Sequence, residues 1–345
     1  MADRDHIQLA HGGGGQLTAE LLEEVILPAL SGENAPARRA VRGLKDAACL
    51  PRPGGNIAFT TDSYVVQPLE FPGGDIGKLA VCGTINDLAV VGAAPRALSL
   101  ALVLEEGLEI ELLRRVLRSA GQAARENAVP IVTGDTKVVG RGALDGMVVN
   151  TAGLGEVLPG AELEFGRIQT GDRIVLSGPL GEHGLAVMCR RTGLALSSPL
   201  RSDCASIFPL AKALLEELGP AVRFLRDPTR GGLAATLVEI ALATGRDLEV
   251  EEEALPTVPA AKAAAELLGL DLLTVANEGK LVAVVAPEAA DRAVAALSRH
   301  GIARRAAVVG TVGLAREGAM VELVTAVGGR RVVQMPYGEE LPRIC

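Results

Sequence analysis

The chain changes character at Leu158-Pro159-Gly160, and that break constrains its fold more than any other feature. On either side, short apolar runs alternate with segments of helical length, a pattern that builds layers of helix on sheet rather than a bundle or a sandwich. Before the break, strands are expected over 57–61, 97–104, 130–132 and 146–158. Helices are expected over 17–30 (with Thr18 as N-cap), 76–91 and 110–127. After it, strands are expected over 173–177, 281–285 and 307–312, and helices after the 178–184 loop and over 204–218, 233–244, 260–268 and 287–300. A length of 345 residues accommodates about two such units. The fold class expected is therefore α/β of the α+β type: one domain over 1–160, a second over 161–330, and a tail over 331–345.

Trp is absent and aromatic residues are scarce, so the core must be aliphatic, with Gly and Ala at its closest contacts. A formal charge of −8 argues against a nucleic-acid binder, which needs a basic stripe. Nucleotides stay open, because glycine loops and metal ions neutralise phosphate locally. The five cysteines are odd in number and none forms a CxxC pair. That argues against a disulfide framework and a zinc site and suits a reducing cytoplasm. Cys49, Cys82 and Cys189 stand among apolar residues and are expected to be buried as small hydrophobes. The acidic, polar opening residues are not a signal peptide, and no apolar run is long enough to span a bilayer.

Four aspartates, Asp46, Asp62, Asp87 and Asp135, each follow or interrupt an apolar segment of the first domain. Asp62 and Asp135 read as strand ends, where side chains converge on one rim, and hard oxygen ligands there suit Mg²⁺. Taken singly, each reads better as a cap or turn residue. Asp87 is the exception: beside Asn86 in a helix of apolar and small residues, it is costly unless paired or metal-bound. The run His11-Gly12-Gly13-Gly14-Gly15 offers unobstructed amides for phosphate but is also a plain linker, and it is no Walker loop. Lys137, two residues after Asp135, reads as a phosphate or proton-transfer group or as an exposed loop lysine. Glu278, in the turn Asn277-Glu278-Gly279-Lys280, reads as a general base or an ordinary turn residue. The segment Asp227-Pro228-Thr229-Arg230-Gly231-Gly232 reads as an anion site at a helix start or as a cap, and His183 as a cleft or surface-loop histidine.

The chain ends Pro342-Arg343-Ile344-Cys345, after Pro336 and Gly338, which oppose a helix. A terminal thiol on an extended arm can hold an acyl or carbamoyl group. Arg343 favours its thiolate, whereas the terminal carboxylate, Glu339 and Glu340 oppose it. The plain alternative is a frayed end with an incidental cysteine.

Taken in order, these motifs resemble one family. They are His11-Gly-Gly-Gly-Gly, Asp46-Ala-Ala, Thr61-Asp-Ser, the block from Phe71 to Ala89, Thr133-Gly-Asp-Thr-Lys, Arg226-Asp-Pro-Thr-Arg-Gly-Gly, Ala276-Asn-Glu-Gly-Lys and the terminal Pro-Arg-Ile-Cys. The chain is similar over nearly its whole length to the HypE hydrogenase maturation factors. Those factors belong to the superfamily of aminoimidazole ribonucleotide synthetase and selenophosphate synthetase. The resemblance implies a two-domain PurM-like fold whose N-terminal domains pair as a homodimer across a β-barrel, with ATP in the dimer groove. It implies a cytoplasmic ATP-dependent carbamoyl dehydratase. The carbamoyltransferase HypF loads Cys345, ATP drives dehydration to a thiocyanate, and the cyanide passes to iron on the HypC–HypD complex for a [NiFe] hydrogenase. It further implies Mg²⁺ on Asp46, Asp62, Asp87 and Asp135, and nucleotide binding by Gly12, Gly13, Gly14, Gly15, Asn86 and Lys137 together with those aspartates. Proton transfer falls to Lys137 and Glu278, with Cys345 as the reacting thiol. Two departures stand out: the glycine run lacks an expected Ala, and Lys45 replaces an expected acidic neighbour of Asp46, which removes one carboxylate from that point. A selenophosphate synthetase would want a reactive Cys near the glycine run, and none lies there. A thiol carrier without catalysis would hydrolyse no ATP.

Overall fold

In a computed structural model, which describes residues 7–8, 11, 13, 15–26, 46–52, 54–196, 198–338, 341 and 343–345, the chain forms two sheets joined through one central helix. Gly12, Gly14, Lys45, the 31–39 linker and the end of the expected 17–30 helix lie outside the described residues. The first sheet contains β1 (Ala48–Leu50), β2 (Ile57–Tyr64), β5 (Ala93–Glu105), β6 (Ile131–Val139) and β7 (Met147–Val157) in the order β1-β2-β7-β5-β6. A short hairpin, β3 (Glu70–Phe71) with β4 (Gly74–Asp75), leads into helix α2 (Ile76–Val90). The parallel pair β5–β6 is bridged by α3 (Ile110–Glu126), as a parallel pair requires.

Asp75 starts α2 by accepting hydrogen bonds from the Gly77 and Lys78 amides, at 2.8 and 3.0 Å. Nearly every residue of α2 is buried, because the helix packs on β2, β5, β7 and α3 and also on the second domain. A helix covered all round has no polar face to spare, which is why its side chains are small or apolar except where they do a specific job.

The second sheet has seven strands: β8 (Arg173–Leu176), β9 (Val222–Arg226), β10 (Arg246–Glu251), β11 (Val282–Val285), β12 (Ala307–Ala315), β13 (Val321–Val324) and β14 (Arg330–Val333). Its order is β14-β13-β10-β12-β8-β11-β9. Helices α5 (Phe208–Leu218) and α8 (Ala290–Ser298) cover one face, and α6 (Gly232–Thr244) covers the other. β11 reads Val-Ala-Val-Val and is buried throughout, its residues alternating between the two cores. An apolar run without alternation is what a strand sandwiched on both faces needs. Helices α4 (Glu182–Thr192) and α7 (Pro259–Leu268) pack together and extend the first core, and α1 (Gln16–Leu21) lies by the tail. No helix among the described residues is long and apolar enough to cross a membrane.

Several sequence expectations shift. The strand expected to stop at Thr61 runs on to Tyr64, because Asp62 and Ser63 keep their pairing with Thr151 and Asn150 of β7. Thr133 to Lys137 is not a loop but the body of β6, held by residues 99–103 of β5. Gly15, not Thr18, is the N-cap of α1. The helix expected from Cys204 begins at Phe208. Cys49 is exposed and Cys189 half-buried, whereas Cys82 and Cys204 are buried. His183 is fully buried rather than a surface-loop histidine.

Candidate active site

A cavity of about 190 Å³ opens between the two sheets. Asp46, Asp62, Asp87, Asp227, Tyr64, Thr229, Arg230, Glu278 and Cys345 line it. Each wall follows from the fold. Asp62 and Tyr64 share one face of β2 by strand alternation, Asp87 lies near the end of α2, and Asp46 precedes β1. Asp227 and Arg230 follow β9 at the end of the second sheet. Gly83 of α2 admits this packing, because a Cβ there would stand 2.2 Å from the Tyr64 hydroxyl.

Carboxylate oxygens of Asp46, Asp87 and Asp227 all lie within 4.8 Å of one another. Burial raises the pKa of each, and neighbouring aspartates add to it, against Arg226 at Asp46 and Asp227. Asp87 is held well above the usual carboxylate range by burial and then by Asp62, Asp227 and Asp46. Asp227 is pushed up to about 7 by burial and then by Asp46. Arg226 is the local counter-charge: its Nη1 donates to Asp46 Oδ2 at 2.8 Å and its Nη2 to Glu239 Oε2 at 2.8 Å. Thr60 Oγ1 lies 2.8 Å from the Asp46 carbonyl oxygen and 2.7 Å from Asp87 Oδ2. One hydroxyl proton serves one acceptor. If it goes to the carbonyl, a protonated Asp87 supplies the other bond, consistent with its raised pKa. Three hard oxygen donors that repel one another without an ion fit a divalent cation such as Mg²⁺.

Cys345 sits in the same cavity because the tail is docked. Val65 N–H donates to the Cys345 backbone oxygen at 3.3 Å and Gln67 N–H to the Arg343 carbonyl at 3.1 Å. Residues two apart on one segment bond residues two apart on the other in reversed order, so the tail runs antiparallel to 65–67 without forming a strand with it. Leu341 and Ile344 are buried, and Arg343 pairs with Asp145. Upstream, the Pro336 and Tyr337 carbonyls accept from the Gln16 and Leu17 amides at 3.0 and 3.4 Å. A Cβ on Gly15 would lie 2.1 Å from the Pro336 oxygen, so this contact requires glycine. Burial, with Glu278 as a neighbouring carboxyl, holds the Cys345 thiol well above its ordinary pKa despite Arg230.

Glu278 is buried, and its Oε1 has no hydrogen-bond partner. Burial, then the charges of Asp227, Asp203 and Asp62, raise its pKa well above the ordinary value, against the opposing Arg230. Its backbone is fixed from behind. Asp203 accepts from the Glu278 and Gly279 amides at 3.2 and 3.1 Å and binds Lys280 Nζ at 3.0 Å. Lys280, itself buried, also holds Glu182 at 2.9 Å. A buried carboxyl of raised pKa with a free oxygen, beside a thiol, is a candidate proton-transfer group.

Of the residues expected from the sequence, the structure brings Asp46, Asp62, Asp87, Glu278 and Cys345 to one cavity. Gly13 and Gly15 lie against the tail and Arg230. Asp135 and Lys137 do not line the cavity; both are exposed on β6, the sheet edge. Asn86, expected among the nucleotide-binding residues, has its amide committed elsewhere. It donates to the Ala205 and Glu278 carbonyls at 3.1 and 3.4 Å and accepts from Ile207 N–H at 2.8 Å. It brackets the two domains together. Asp227 and Arg230 were expected only as part of a possible anion site at a helix start, not as neighbours of the aspartate cluster, and Arg226 and Asp203 were given no site role. The signal for Asp227 was present, an Asp directly after the apolar strand 222–226, the same setting that marked the other aspartates.

The same arrangement of domains occurs in known proteins. Residues 44–157 match the model of the AIR synthase related protein, N-terminal domain, and residues 169–321 that of the C-terminal domain. The Carbamoyl dehydratase HypE of Rhodobacter capsulatus is 49% identical over 346 residues, covering 100% of each chain. The crystal structure of a HypE–HypF complex superposes with a TM-score of 0.84 at 41% identity, covering 92% of this chain and 99% of that one. HypE in complex with ATP superposes with a TM-score of 0.81 at 44% identity, covering 97% and 98%.

Proposed function

This chain belongs to the HypE carbamoyl dehydratase family within the AIR synthase related proteins, and on that premise we propose how its residues divide the work. It is an enzyme of hydrogenase maturation that dehydrates a carbamoyl group at the expense of ATP. The thiol that carries the group is Cys345. The observation that supports this assignment is the seat of its tail: Cys345 lines the same cavity as three clustered carboxylates and the buried Glu278.

The chemistry needs three things of the protein. The carbamoyl oxygen must leave, and as oxide it is a poor leaving group; taking it up into phosphate solves that. The residues that would hold Mg²⁺ are Asp46, Asp87 and Asp227, with Asp62 close by. The ion supplies charge neutralisation and alignment for phosphoryl transfer. Arg230 adds a fixed positive charge at the tail. Two protons must also leave the carbamoyl nitrogen. Glu278, beside Cys345, in its carboxylate form takes a proton from the nitrogen at that end of the cavity, and Lys137 is the second candidate. The balance is then a thiocarbamate plus ATP giving a thiocyanate, ADP and phosphate, the carbamoyl oxygen ending in phosphate and the two protons leaving on that phosphate or to solvent.

Lys137 and Asp135 stand on the exposed edge strand β6, and they reach a nucleotide only in a groove completed by a second copy. The chain therefore works as a homodimer, with the dimer barrel built from the first sheet. The glycine run at 12–15 lies over the phosphates, the domains divide at 1–160 and 161–330, and the 331–345 tail moves out to meet HypF and the HypC–HypD complex.

The test is the intact mass of the protein after incubation with HypF, carbamoyl phosphate and ATP, alongside Cys345→Ala. A carbamoyl-sized gain followed by loss of water, absent in the variant, is expected. A stable adduct that never loses water makes the chain a carrier only and overturns the assignment.

A further inference from the structure

His183 takes no part in the acidic cluster, yet it makes a sealed contact with the tail. Its Nε2 lies 2.7 Å from the Ile344 carbonyl oxygen, one residue before the thiol. Its Nδ1 lies 2.8 Å from Ser202 Oγ, and its ring meets Phe71 edge-on at 5.3 Å. Hydrogen-bond directions around it are fixed by elimination. A carbonyl only accepts, so Nε2 carries the hydrogen. In a neutral imidazole Nδ1 is then the acceptor, and the Ser202 hydroxyl donates to it. Ser202 Oγ in turn accepts from Cys204 N–H at 3.0 Å, and Ser202 N–H donates to the Pro72 carbonyl at 2.7 Å. Each polar group in this chain is satisfied while the tail is in.

We propose that His183 is the positioning residue that sets how much of the time the tail is docked, its Nε2–H latching the Ile344 carbonyl. This rests on the reading of Cys345 as the substrate thiol. The tail has other holds, notably Arg191, which donates to the Arg343 carbonyl at 2.7 Å. That bond is exposed, and water replaces it at little cost. His183 is fully buried, and departure of the tail takes away the acceptor its donor points at. A latch of this kind has to be of moderate strength. The arm must be inside for dehydration and outside for loading and delivery.

Asparagine and glutamine separate the latch from general packing. In His183→Asn the side-chain amide reaches the Nδ1 place and keeps the Ser202 bond but not the tail bond. In His183→Gln the amide nitrogen reaches the Nε2 place. The probe is iodoacetamide alkylation of Cys345 in the full-length protein, read by mass, with exposed Cys49 as internal reference. His183→Asn is expected to raise the Cys345 rate relative to Cys49 by about tenfold, the size of one net hydrogen bond. His183→Gln is expected to restore it toward wild type. Water loss from the carbamoylated tail slows in His183→Asn and recovers in His183→Gln, whereas loading by HypF does not slow. If His183→Asn does not fold, Ser202→Ala, which removes the donor that fixes the tautomer, must shift the Cys345 rate the same way. An unchanged Cys345-to-Cys49 ratio in His183→Asn, or no difference between Asn and Gln, overturns the latch. A wild type that shows the alkylation pattern but never loses water leaves the latch standing and removes the dehydratase reading.

Discussion

Asp227 titrates at about 7, more than an ordinary aspartate by a wide margin, because it is buried beside Asp46. A carboxylate binds a metal ion only after losing its proton, so each proton held by Asp46, Asp87 or Asp227 opposes the ion. Mg²⁺ affinity should therefore rise with pH through about 7, with protons released on binding. Calorimetric titration in two buffers of different ionisation enthalpy, at roughly pH 6 and pH 8, reads both; an affinity that is flat across this range would remove the cluster as the metal site. Asp227→Asn should weaken Mg²⁺-ATP turnover by roughly 10–100-fold without unfolding the protein. Glu278→Gln keeps the shape of the side chain but cannot take up a proton from the carbamoyl nitrogen. It should slow water loss by about 100- to 10,000-fold while leaving Cys345 as protected from alkylation as before; a Gln variant of undiminished rate excludes Glu278 from proton transfer. At this scale the sequence was only half legible. Asp87 stood out because a lone acid among apolar neighbours has to be explained. His183 and Glu278 looked like loop residues, because what buries them comes from segments distant in the chain, including the tail itself.

Periodicity located the elements well where one face meets a core and one meets water, as in α3, whose buried positions are Val116, Ala120, Ala123 and Ala124. It placed α2 but could not say what α2 does. A helix covered on all sides looks the same whether it lies inside one domain or between two. The structure supplies the answer through Asn86, whose amide satisfies backbone groups of Ala205, Ile207 and Glu278 across the domain boundary. Asn86→Ala leaves those groups unpaired in a dry place and should destabilise the protein by about 1–3 kcal/mol. Thermal unfolding checks this; a loss within a few tenths of a kcal/mol would mean that water takes over the bracket. Strand ends were the least legible. Thr-Asp-Ser in β2 and Gly-Asp-Thr-Lys in β6 have poor strand propensity, and only their partners β7 and β5 keep them extended.

For the molecule as a whole, β6 poses a question that a single chain leaves without an answer. It is the edge of its sheet, and residues 131–138 are exposed on both faces, with Ile131, Val132 and Val138 among them. Phe59 and Leu154, paired on β2 and β7, are exposed as well. A long edge strand with β-branched residues on both sides is a template for association unless something covers it. The same strand carries Asp135 and Lys137, which lie outside the cavity of their own chain. One arrangement would account for both facts: a second copy laid against this sheet would cover the apolar edge and give Asp135 and Lys137 a nucleotide to meet. The full-length protein should then elute with twice the mass of the chain in light scattering. Val132→Asp, a change on an exposed strand that leaves the cores intact, should shift it to the monomer and abolish ATP turnover while the far-ultraviolet dichroism stays the same. A monomeric Val132→Asp protein with full turnover would show that one chain is sufficient, and that Lys137 and Asp135 have no part in the chemistry.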